Sequence, residues 1–127
     1  MKIKTSDLTL LALDWAVAKI TNPEWWDDGY MDGDPMAALD MDDGAVYSPS
    51  TNWAQGGPII QREGIAIDVV RAGWTIDSWV AALVHEDREF DGVARSEEYG
   101  PTPLIAAMRC YVASKLGDEV DIPEELL

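Results

Sequence analysis

The sequence predicts an α+β domain: a small antiparallel sheet packed with three main helices, in the order α-α-β-β-(β)-α. Three observations predict it. Apolar residues recur at helical spacing near both ends of the chain. Between them an alternating stretch, Ile65-Ala66-Ile67-Asp68-Val69, runs through Arg71-Ala72-Gly73 into a second apolar stretch. The strands are grouped and not interleaved with helices, which favours an antiparallel sheet over a parallel one. With 127 residues, one domain spanning 1–127 is expected, long enough to bury most of its apolar surface unaided.

The first helix is expected over residues 6–20, SDLTLLALDWAVAKI, with Thr5 or Ser6 as N-cap and Asp7 in its first turn. Leu8, Leu11, Ala12 and Trp15 line one side. Leu10, Leu13, Val17 and Ile20 line nearly the opposite side, so the helix should be covered on both. Asn22-Pro23 ends it. An acidic loop insertion is expected at about 21–45, with at most one helical turn near Pro35–Leu39.

Ser50, Thr51 or Asn52 can cap a second helix reaching about Glu63, which Gly56-Gly57-Pro58 should break or restart. Residues 65–69 form a half-buried strand, and Arg71-Ala72-Gly73 turns the chain. WTIDSWVAALV, 74–84, reads as a more buried strand, with a helix as the competing assignment because of its Ala-Ala-Leu centre. Trp15, Trp74 and Trp79 are core candidates. Residues 85–98 read as a polar hairpin tip or loop, returning as a third strand near Val93. The last helix is the clearest: Thr102 caps it, Pro103 sits at its first position, Leu104 to Leu116 propagate it, and Gly117 ends it. Its Leu104, Ile105, Met108 and Val112 should pack on the sheet. The acidic tail should dock through Ile122, Leu126 and Leu127.

Composition excludes several functions. A hydrophobic fraction of 47% with 26% charged residues describes a folded protein. The net charge of −15 argues against binding nucleic-acid phosphates or anionic lipid directly, and leaves basic proteins as partners. The lone Cys110 cannot form an internal disulfide, which suits a reducing cytoplasm. MKIKTSDLTLLALDW meets Asp14 too early for a secretory signal, and no run is long enough to span a membrane.

The stretch EWWDDGYMDGDPMAALDMDDG, 24–44, holds eight carboxylates and no Lys, Arg or His. It is not an EF-hand loop. From Asp40, Ala45 stands where glycine is required; from Asp32, Met36 stands at a ligand position. A single His85 and a single Cys110 cannot close a zinc site. His85 reads as a surface residue and Cys110 as a small buried hydrophobe. No serine lies in a G-x-S-x-G context, and Gly56-Gly57 is followed by no lysine that would make a phosphate loop. No metal, cofactor or catalytic residue is assigned, and the chain is expected not to be an enzyme.

Five aromatic residues and one helix-cap threonine remain as candidates for contact with a ligand or partner: Trp25, Trp26, Tyr47, Trp53, Tyr99 and Thr102. Adjacent Trp25 and Trp26 cannot both point inward easily from a loop. Tyr47, Trp53 and Tyr99 flank two helix starts, whose N–H groups can hold an anion. The plainer alternative is that these rings seal helix ends against the sheet.

EYGPTPLIAAMRCYVASKLGDEVDIPEEL, with YSPSTNWAQGGPII and LDWAVAK, resembles the NinX-like family of phage and prophage proteins, and is similar in layout to small phage α/β/α-sandwich domains. The likeness covers about residues 1–20, 46–70 and 97–126. It implies a phage accessory protein in the cytoplasm of a bacterial host and supplies no catalytic residues. Three roles follow as expectations: a non-enzymatic protein that binds a host protein with a basic surface, an acidic DNA mimic that blocks a host DNA-binding defence protein, or a binder of a small nucleotide-like ligand. Homo-oligomerisation is compatible with each.

Overall fold

A computed structural model describes residues 1–21, 46–87 and 92–127. They form an α+β arrangement of three α-helices and two small antiparallel sheets. The acidic insertion, with Trp25 and Trp26, lies outside the described residues.

Helix α3 (Pro103–Leu116) organises the core. Thr102 Oγ1 accepts the Ile105 N–H at 3.1 Å, Pro103 opens the first turn, and Gly117 donates back to Ala113 O. These are the ends expected from its sequence. The helix is apolar around most of its circumference and is accordingly buried on both sides. One side packs on the sheet and the other on helices α1 (Leu10–Thr21) and α2 (Trp53–Glu63). Leu104, Ile105, Met108 and Val112 are all buried, but Leu104, expected on the sheet, faces Gly56 at the start of α2.

The main sheet has the order β2 (Ala66–Ala72), β3 (Thr75–Asp87) and β4 (Gly92–Gly100). Strand β3 is central, with Val69 and Gly100 both opposite Trp79. The competing helix at 74–84 does not form. Trp79, Ala81 and Leu83 alternate toward the core, and pairing on both edges satisfies the backbone of β3. Residues 92–100, expected to be mostly loop, form a full strand. Its inward positions are filled by small or polar residues such as Ala94 and Ser96, so hydrophobic alternation is faint there.

A second sheet was not foreseen. Strand β1 (Lys2–Lys4) pairs antiparallel with β5 (Glu119–Asp121), Ile3 opposite Val120. Three-residue strands show almost no periodicity, and only the tertiary pairing defines them. The tail docks through Val120, Ile122 and Leu126, while Leu127 is exposed, contrary to expectation.

Four further expectations need correction. Helix α1 begins at Leu10, and Thr5–Asp7 form a 3-10 turn. Thr5 does not cap the helix; its hydroxyl donates to Gly117 O at 2.6 Å, and Arg109 Nε holds Leu8 O at 2.8 Å. These ties keep residues 5–8 out of the helix. Leu10, expected to be covered, stands exposed. Helix α2 runs unbroken through Gly56-Gly57-Pro58; Gly57 has no Cβ to collide with the proline ring. Trp74 is not a core residue. It sits in the turn after Gly73 (φ 65°) and is 99% exposed.

The helices do not sandwich the sheet: among the described residues, the three α-helices gather on one side of it. No described helix is long and apolar enough to cross a membrane.

Candidate functional site

The starts of α2 and α3 come together. Asn52 Oδ1 caps α2 by accepting the Ala54 N–H at 2.9 Å, as Thr102 caps α3. Close approach at this point depends on Gly56, since a Cβ there would lie 2.7 Å from Leu104 Cδ2 and against the Pro49 carbonyl. Between the two starts lies a cleft of about 210 Å³. Ser50, Thr51 and Trp53 line it from one side, Thr102, Pro103 and Leu104 from the other. Both helix ends bring partial positive charge to it.

Of the six expected contact residues, Trp53 and Thr102 thus share one cleft. Trp53 is 56% exposed although it opens a helix. Tyr99, 52% exposed, stands three residues before Thr102 on β4, opposite Val80. Its hydroxyl donates to Glu97 Oε1 at 3.2 Å, and its carbonyl accepts from Arg109 Nη1 at 2.8 Å. Tyr47 is not part of this surface. It is half-buried, its hydroxyl 3.3 Å from Thr21 Oγ1 at the end of α1, and burial raises its pKa. Tyr47 therefore closes a helix end, the plainer reading. Trp25 and Trp26 lie outside the described residues.

Beneath the cleft is a group the sequence did not announce. Asp14, in the middle of α1, is buried, and its Oδ1 accepts the Ser50 N–H at 2.9 Å. Burial pushes the carboxyl up, against the pull of that bond. Ser50 Oγ is buried beside the same carboxyl and, like the Ser50 N–H, favours its charged form. An aspartate on an apolar helix face was the available signal.

The other titratable candidates are structural. Cys110 is buried, its thiol pushed up to about 12 by burial, with Sγ 3.4 Å from Ser96 O. His85 Nε2 lies 3.0 Å from Ser96 Oγ, so the ring is anchored to β4 and only half-exposed.

The family model for NinX of bacteriophage P22 matches residues 4–115. The chain belongs to that family. The match runs from β1 to the last turn of α3, and so takes in the cleft, Asp14, Trp53, Tyr99 and Thr102. No curated protein matches the chain. As a NinX-family member it is a phage accessory protein.

Proposed function

We propose that this NinX-family chain is a non-enzymatic binding protein that acts on a basic host protein in the bacterial cytoplasm. The observation that carries the reading is Trp53 standing open on a chain of net charge −15. A tryptophan this exposed loses apolar burial, and Trp is prominent among residues that dominate protein interfaces. Aromatic faces attract Arg and Lys, and Tyr99 adds a second ring beside Glu97. An acidic surrounding speeds the approach of a basic partner.

The test is affinity capture from host cells with the wild-type chain and a Trp53→Ala/Tyr99→Ala variant. A basic protein retained by the first and lost by the second supports the reading. Identical captures from both contradict it. Should DNA compete with the captured protein for the same chain, the partner is a DNA-binding protein and the acidic surface acts as a DNA mimic.

The cleft itself supports a second reading, a small anionic ligand held between the starts of α2 and α3. Inorganic phosphate and nucleotides at millimolar concentration should then raise the melting temperature. No shift with any of them removes this reading.

A further inference from the structure

The second unusual surface lies away from the cleft, where the start of α1 meets the C-terminal segment. A groove of about 440 Å³ opens there, walled by Leu8, Leu10, Leu11, Leu126 and Leu127. Leu8 and Leu126 are buried in its floor, whereas Leu10, Leu11 and Leu127 are exposed. Leu10 is also held at φ 49°, the left-handed region, and is the non-glycine residue so held among the described residues. Leucine pays for that conformation and gains little burial in return, being 62% exposed. The fold does not need this side chain where it stands.

The groove is rimmed by exposed carboxylates, Asp7 on one side and Glu125 on the other. One nearby cation, Arg109, feels the charge of Asp7 and offsets part of it, while its N–H groups donate to Leu8 O and Tyr99 O. Lys2 and Lys4 flank Ile3, which lines the groove, so strand alternation turns their side chains to the opposite face. Two full carboxylate charges on the rim stand against one guanidinium and the partial positive end of α1, on a chain of net charge −15.

We infer that this groove docks an amphipathic, basic helix of a partner protein, its leucine-type anchors entering between Leu10 and Leu127 and its Lys or Arg residues meeting Asp7 and Glu125. A helix laid apolar side down with cations along its flanks is the shape and charge that these walls and rims complement. The inference rests on the reading of the chain as a binder of basic protein and names the surface and the partner's recognised element.

The test uses synthetic helices titrated into the full chain. One carries leucines at i, i+3, i+4 and i+7 with lysines elsewhere, and a second has the same composition with its leucines scattered. Leu10→Gly removes the side chain and suits the positive φ. The patterned peptide should bind at least tenfold more tightly than the scattered one. Leu10→Gly should weaken it at least fivefold while leaving the melting temperature unchanged or higher, an outcome that a structural role for Leu10 would not give. Asp7→Asn/Glu125→Gln should weaken binding severalfold and flatten its salt dependence. Equal binding of both peptides, or no loss in Leu10→Gly, overturns the groove. If binding is instead lost in Trp53→Ala/Tyr99→Ala, the basic-partner reading survives and the groove does not. Self-association of the chain that Leu10→Gly abolishes would replace the partner helix by a second copy and overturn the inference.

Discussion

Asp14 Oδ1 and the Ser50 N–H meet at 2.9 Å across 36 residues of sequence, both residues buried. The contact pins the turn before α2 to the middle of α1, and so fixes one wall of the Trp53 cleft. Replacing Asp14 by Leu would leave the Ser50 N–H buried and unpaired, at a cost of about 1–3 kcal/mol. Asp14→Asn keeps an acceptor and should cost less. Chemical denaturation of the two variants checks the order.

The same carboxyl predicts a pH effect. Its pKa in the folded chain is raised above the ordinary 3.8, so the folded state holds the proton more tightly than the unfolded state. The stabilisation is complete below pH 3.8 and is lost as pH rises through the folded value. Asp14→Asn lacks this loss. The stability difference between variant and wild type should therefore shift in the variant's favour from pH 3.5 to pH 7, as measured by denaturation at each pH.

Two tryptophans that look alike in sequence should behave oppositely. Trp15 is buried in the core, and Trp15→Ala should cost about 3–5 kcal/mol. Trp74 is solvent-exposed in its turn, and Trp74→Thr should change stability by no more than about 0.5 kcal/mol. Equal losses in thermal melts would contradict the arrangement of the sheet.

That contrast shows what the sequence makes legible. Helix α3 was readable because Thr102, Pro103 and Gly117 are local signals whose physics does not depend on the rest of the chain. Strand β2 is readable from alternation, whereas β3 shows only as an apolar stretch that does not mark where the strand begins, so the pattern carries Trp74 inward although it stands one residue before Thr75, in the turn. The start of α1 was misplaced because Thr5 and Leu8 are held by Gly117 and Arg109, more than a hundred residues away. The β1–β5 pair is likewise tertiary in origin. Of the site, Trp53 and Thr102 were legible as helix-start residues, yet their shared cleft depends on Gly56 admitting Leu104. Asp14 is hard to single out from sequence, because a single charge in an apolar helix is usually turned to solvent.

Gly100 sets the seat of α3 on β4. A Cβ at this position would lie 2.7 Å from Ala106 N and 3.0 Å from Ile105 Cγ2. Helix backbone cannot yield as a flexible side chain does, so Gly100→Ala should destabilise the fold by about 1–3 kcal/mol. A melting temperature equal to wild type would show that the helix sits farther from the strand.

Cys110 should be inert in the native state. Its thiol is buried and pushed up to about 12, so little thiolate is present at neutral pH. A thiol-directed reagent should label it slowly in buffer and quickly in denaturant. Rapid native labelling would mean that α3 opens locally from the sheet.

Recognition of a basic partner by the acidic, aromatic surface, as proposed, is tested by the affinity of the purified chain for its captured partner across ionic strength. Charge-driven recognition is screened by salt. The dissociation constant should rise at least tenfold between low and near-physiological salt, with the loss mainly in association rate, and Trp53→Ala should weaken binding at every salt concentration. An affinity indifferent to both salt and Trp53 would rule out recognition of a basic partner through this surface.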